Sequence, residues 1–147
     1  MFARREISKR YVALIDGLVP NDKGVIELPL RPDYVLRPMQ VVDEEKGNVA
    51  ITRYEVINRC EVSKTTLVYF YPLTGRTHQL RVHSAHRRGL GMPIVGDKLY
   101  GTSGSRLFLH AELLVFIHPW NGRKIELRSP VPSSFAEMQQ VADYLPQ

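Results

Sequence analysis

Residues 65–71 constrain the fold more than any other stretch of this chain. Leu67, Tyr69 and Tyr71 alternate with Val68 and Phe70, so a β-strand here is apolar on both faces. Such a strand belongs inside a sheet, covered on both sides. Residues 49–57 precede it with β-branched and aromatic side chains across a short polar link, which predicts an antiparallel hairpin. The strand stops at Thr74-Gly75. Thr77 then reads as the N-cap of a helix running through Arg81 to about Arg88, ended by Gly89 and Gly91.

The remaining periodicity completes an α+β outline. Ile7, Tyr11, Ala13 and Ile15 share one side of a period-two pattern with Lys9, which predicts a half-buried strand. Residues 24–30 form a second short strand after a turn, and Pro29, Pro32 and Pro38 make the stretch to Met39 an irregular loop. Leu107, Leu109, Ala111, Leu113, Val115 and Ile117 form one face of the most apolar strand. Asn121-Gly122 turns it into a hairpin that returns through Lys124 to Arg128 with Ile125 and Leu127 facing inward. Ser134 and Glu137 have capping-box spacing for a closing helix with Phe135, Met138, Ala142 and Leu145 on one face. The expected architecture is a mixed, largely antiparallel sheet with flanking helices. Its 147 residues fit a single domain over 1–147, large enough to fold without disulfide or structural metal.

Composition narrows the function classes. No apolar run approaches the roughly 20 residues of a membrane span, and the basic start at Met1 leads into strand-like sequence rather than a signal peptide. The reading is a cytoplasmic protein with no membrane partner. The one cysteine, Cys60, cannot form an internal disulfide and reads as a small apolar residue near a strand end. A net charge of +5 is moderate, but its distribution is not. Between Val62 and Gly96 there is no Asp or Glu, while Lys64, Arg76, Arg81, Arg87 and Arg88 are all present. A basic, acid-free segment invites an anion, and a polynucleotide is the commonest one.

Within it, Gly75-Arg76-Thr77-His78-Gln79-Leu80-Arg81-Val82-His83 places two arginines and two histidines at a strand-to-helix junction. His78, His83 and His86 are spaced by five and three, which does not gather them on one helical face, so no metal site is expected. His78 instead reads as a nucleotide-positioning or capping residue. Arg76, Arg87 and Arg88 fit phosphate contacts as well as a solvated helix end. Asp97 after Gly96 reads as turn chemistry rather than as a catalytic acid. Trp120 beside Asn121-Gly122 reads as a hairpin-tip aromatic packed on its neighbour.

Four ordered blocks resemble the RluA-type RNA pseudouridine synthases. Lys9-Arg10-Tyr11-Val12-Ala13 resembles the family's K-x-Y-x-A strand, and Gly75 to His83 its G-R-T-H-Q-L-R-x-H motif. Pro93-Ile94-Val95-Gly96-Asp97-Lys98-Leu99-Tyr100-Gly101 matches P-I-x-G-D-x-x-Y-G, and Leu107-Phe108-Leu109-His110-Ala111 with His118-Pro119 fits the R-L-x-L-H-A and H-P strand. The resemblance implies a pseudouridine synthase-like catalytic domain that acts on uridine in structured RNA, rRNA or tRNA, without cofactor or metal. It implies that Tyr11 stacks on the uracil, that Arg81 pairs with a catalytic aspartate and that Leu109 forms part of an apolar wall. Lys9, Arg76, His78, Arg87 and Arg88 would contact RNA.

One element departs from the pattern. The family's aspartate lies in an H-R-L-D-x-x-T-S-G motif a few tens of residues before the K-x-Y-x-A strand, and these 147 residues contain no Arg-Leu-Asp. The domain is therefore expected to be incomplete at its N-terminus and inactive as an isolated chain. It would also expose an apolar flank that favours self-association or a complementing N-terminal segment. A catalytically dead RNA-binding module is the alternative, and a nuclease using His78 and His83 as acid and base is a weaker one.

Overall fold

The computed structural model describes residues 7–143, with side chains to Gln139. The basic start at Met1, the side chain of Ala142 and Leu145 lie outside the described residues. The elements are β1 (Ser8–Ile15), β2 (Lys23–Glu27), β3 (Leu30–Pro32), β4 (Gln40–Val42), β5 (Ile51–Cys60), β6 (Thr65–Pro72), α1 (Gln79–Ala85), β7 (Leu109–Ile117), β8 (Lys124–Arg128) and α2 (Ser133–Asp143).

Six strands form one sheet in the order β2-β5-β6-β1-β7-β8, and β3 and β4 form a second, small one. The α+β class holds. Every strand pair described is antiparallel, and the parallel pairing described is an isolated bridge between Gly96 and Ser103, outside the named strands.

Register decides which side chains meet. Tyr11 pairs with Phe70 and Ala111, and Phe70 pairs with Tyr54, so these four share a face. Along β1 the sequence therefore sends Tyr11, Ala13 and Ile15 toward α1, which packs on this face through Leu80 and His83, while Val82 packs against Leu30, Ala50 and Val42. The opposite face carries Val12 and His110, where Phe135 of α2 stacks on Phe108 at 5.2 Å and on His110 at 6.4 Å. Two helices thus sandwich the sheet.

As expected, β6 is an inner strand, between β5 and β1. Its Val68–Phe70 face is fully buried. The Tyr69–Tyr71 face is only half-buried, and it is covered by guanidinium groups rather than a helix: Arg10 lies 4.5 Å over Tyr69 and Arg53 4.4 Å over Tyr71. Beyond the half-buried pattern foreseen for β1, Val12 through Ile15 are buried on both faces.

Other expectations need correction. The strand foreseen over residues 24–30 ends at Glu27, because Pro29 has no N–H to continue the ladder, and Leu30 instead opens β3. The stretch toward Met39 is thus tied back by the β3–β4 pairing rather than being wholly irregular. Thr77 does not cap α1; His78 precedes the helix in the left-handed conformation (φ 55°), and the helix ends at Ala85, three residues before Arg88. The chain turns there because Gly89 packs on the His83 carbonyl, where no Cβ would fit. Leu127 is 53% exposed rather than inward. On α2, Phe135 is buried as expected, but Met138 is exposed and Gln139 takes the inner position, binding Asn58 and Thr65.

Candidate active site

The turn from β6 into α1 is fixed by one buried amide. The Gln79 carbonyl oxygen accepts from the Thr74 hydroxyl (2.7 Å) and the Arg76 N–H (3.0 Å), while its amide donates to the Ile51 carbonyl (3.0 Å) and the Thr52 hydroxyl (2.9 Å). Four bonds use every donor and acceptor site that matters on this side chain. The Thr52 hydroxyl in turn donates to Nδ1 of His83, whose Nε2–H donates to the Leu28 carbonyl. Gln79 and His83 are four apart, so they share the inner face of α1. The outer residues of the same motif are left to face solvent.

Those residues converge. Lys9 and Tyr11 from β1, Arg76 and His78 from the turn, Arg81 from α1 and Leu109 from β7 line one open cleft of about 330 Å³. The strand register changes where Tyr11 enters it. β7 carries an extra residue, Glu112, opposite the Arg10–Tyr11 step, and such bulges re-aim neighbouring side chains. Glu112 itself accepts from Arg10 at 2.7 Å, away from the cleft. No Asp or Glu lines the cleft among the described residues, and the Lys9 ammonium arches over the turn beside Gly75. Its electrostatic character is cationic with an aromatic and an aliphatic wall.

Arg81 is not without an acid. Its Nε and Nη2 donate to the two oxygens of Asp97 at 3.0 and 2.6 Å, and Asp97 has no exposed surface. Burial pushes the Asp97 carboxyl up, but the Arg81 hydrogen bonds and the N–H groups of Tyr100 and Leu99 outweigh it and hold the group below the usual carboxylate range. Hydrogen bonding to Asp97 raises Arg81 correspondingly. Gly96 makes the approach feasible: at φ 82° it passes so close to the Arg106 carbonyl that no Cβ fits.

His78 has a comparable support. Its Nδ1 lies 2.8 Å from the Tyr100 hydroxyl, which accepts from the Gln40 N–H at 2.9 Å. The two rings meet edge to face at 5.6 Å, and Arg81 lies 5.4 Å over the Tyr100 ring. Burial first, and the Arg81 charge second, push His78 below the ordinary histidine range.

Tyr11, Arg81, Leu109, Lys9, Arg76 and His78 thus line one cleft. Arg87 and Arg88 do not: both are exposed beyond the end of α1, and Arg88 pairs with Glu44 at 2.7 Å. The nuclease reading fails on His83, which is fully buried with both ring nitrogens bonded inside the protein. Trp120 is 91% exposed and meets His118 edge-on. Sequence reasoning missed Gln79, Thr52, Tyr100 and the pairing role of Asp97. The turn chemistry assigned to Asp97 is present, through Leu99 and Tyr100, but the same carboxylate also serves Arg81.

A family model described as "RNA pseudouridylate synthase" matches residues 1–86, and the chain belongs to that family. Over 134 residues it is 42% identical to the dual-specificity RNA pseudouridine synthase RluA of Pasteurella multocida (strain Pm70), covering 88% of this chain and 59% of that protein. The RluA of Escherichia coli (strain K12) is 40% identical with the same coverage. The chain therefore spans about three-fifths of the length of these relatives. Among solved structures, human RNA pseudouridylate synthase domain containing 1 superposes with a TM-score of 0.73 at 24% identity, covering 97% of this chain and 68% of that one. Human RNA pseudouridylate synthase domain containing 4 gives 0.70, also at 24%, covering 98% and 65%. Both show the same fold.

Proposed function

We propose that this chain forms the larger part of the catalytic domain of an RNA pseudouridine synthase acting on uridine in structured RNA, in the cytoplasm. The observation that carries the reading is the convergence of Tyr11, Arg81 and Leu109 on one cationic cleft. The reaction breaks the bond from base N1 to ribose C1′, turns the freed uracil and rejoins it through C5. A carboxylate must act on the sugar or base, and the C5 proton must leave. The uridine must first leave its stack, at a cost of a few kcal/mol, and Tyr11 offers a ring to receive it against the Leu109 wall.

Arg81 suits the carboxylate. Asp97 occupies its Nε and one Nη2 hydrogen, leaving both Nη1 hydrogens and the second Nη2 hydrogen as an end-on fork for another anion. In this proposal the catalytic aspartate arrives on a complementing segment, since no Arg-Leu-Asp occurs in these residues. The segment would lie along Ala111, Leu113, Leu114 and Leu127, a partly apolar surface that shares Lys9 and Tyr11 with the cleft. The test is pseudouridine formation on a uridine-containing RNA. The 147-residue chain alone is expected to give little or none, and fusion or addition of a segment bearing the aspartate motif restores turnover. Absence of recovery with a folded product would overturn the assigned roles. Sedimentation of the chain alone reports whether a second copy covers the same flank.

One observation favours the non-catalytic RNA-binding module as the second reading. Asp97 already pairs with Arg81, so the guanidinium has a counter-charge without any catalytic acid. Turnover by the completed chain separates the two.

A further inference from the structure

His78 occupies a position that the fold has gone to some lengths to define. Its backbone is left-handed, at φ 55° and ψ 20°, and the next residue, Gln79, is pinned by four hydrogen bonds. Its ring is pinned by Tyr100. The Tyr100 oxygen accepts from the Gln40 N–H, so its single hydrogen is the one available to Nδ1 of His78. With Nδ1 accepting, the uncharged ring carries its proton on Nε2. That nitrogen makes no hydrogen bond among the described residues, and no unpartnered side-chain nitrogen there is buried, so Nε2 opens to solvent in the cleft that His78 lines with Tyr11 and Leu109.

We infer that His78 presents its Nε2–H to an acceptor oxygen of the target nucleotide, and that Tyr100 is the positioning residue that fixes this donor. The inference deepens the proposed function and rests on the cleft receiving an unstacked uridine. The donor needs no titration at neutral pH. The groups that face His78 are Arg81, Asp97 and Tyr100 directly, with Lys9 and Arg76 elsewhere along the cleft; burial and the Arg81 charge hold its ring uncharged. A donor without charge contributes direction rather than attraction, which complements the cations around it. The acceptor is either a uracil carbonyl or a phosphate oxygen, since both offer the same lone pairs.

Long-range nitrogen–proton NMR on the 147-residue chain reads the tautomer. The Nε2–H form is expected in the wild type, and a mixture of tautomers in Tyr100→Phe, which keeps the ring contact but loses the hydroxyl. Binding to a hairpin RNA with a uridine in its loop reads the contact. His78→Gly adopts φ 55° without strain and is expected to weaken binding about tenfold, the worth of one good hydrogen bond. His78→Asn tolerates the same backbone and keeps an N–H donor, so it recovers part of the loss. Repeating the pair with an abasic loop position locates the acceptor: a penalty that vanishes assigns uracil, and one that persists assigns phosphate. An Nδ1–H ring in the wild type, or equal binding by His78→Gly, overturns the inference. Failure of the wild type to bind RNA would instead overturn the reading beneath it, and the spectrum would still decide the Tyr100 arrangement.

Discussion

Asp97 grips Arg81 through both carboxylate oxygens, at 2.6 and 3.0 Å, with the carboxylate wholly buried and the guanidinium side chain 16% exposed. The pair holds a cation at the rim of a cleft that no Asp or Glu lines among the described residues. Arginine can do this because its fork has two usable edges, one for the structural partner and one for a visitor.

Replacing Asp97 by Asn keeps the turn-capping oxygen but leaves Arg81 without a counter-charge. Breaking one side of such a pair costs about 3–5 kcal/mol, and urea unfolding should show a loss near the lower end because Arg81 retains some solvent. The sign with pH follows from the lowered carboxyl. The wild-type advantage is complete above the ordinary carboxyl value of 3.8 and disappears as pH falls through the lower folded value. Unfolding of both proteins at pH 6 and below pH 3 measures it.

The Gln79 network should behave as a unit. Gln79→Leu and Thr52→Val each strand buried polar partners and should cost about 2–3 kcal/mol by urea titration. The double variant should cost clearly less than the sum, because both remove the same Gln79–Thr52 hydrogen bond.

His83 makes a second, separable pH term. Burial pushes its folded value below the ordinary 6.5, so the unfolded chain binds the proton more readily. The stability it contributes is complete above pH 6.5 and declines as pH falls toward the folded value, by at most about 1.4 kcal/mol per pH unit. A variant such as His83→Gln should flatten that slope below pH 6.5, measured by denaturant unfolding.

RNA affinity should depend on the cleft cations and not on every arginine. Lys9→Ala and Arg76→Ala should each lower affinity and reduce the salt dependence by roughly 0.7–0.9 log units per log unit of salt. Tyr11→Leu should lose about 1–3 kcal/mol of base stacking with no change in that slope. Arg88→Ala, whose side chain is paired with Glu44 outside the cleft, should leave both quantities close to wild type. Filter-binding titrations across a salt series give all four values.

What the sequence determined here is what repeats locally or travels as a motif. Alternation in β6 required an inner strand, Asn121-Gly122 required the β7–β8 turn, and the ordered blocks around Tyr11, Arg81 and Leu109 named one site before any geometry. Tertiary structure decided the partners. No periodicity could show that Asp97, sixteen residues beyond Arg81, turns back to neutralise it. Nor could spacing show that His83 sinks into the core while His78 stays in the cleft, because the left-handed step at His78 resets the helix face just before Gln79. Side-chain direction after such a step depends on which hydrogen bonds the whole fold satisfies. That sum is made across segments distant in sequence, where Thr52, Leu28 and Gln40 supply the other halves of the bonds.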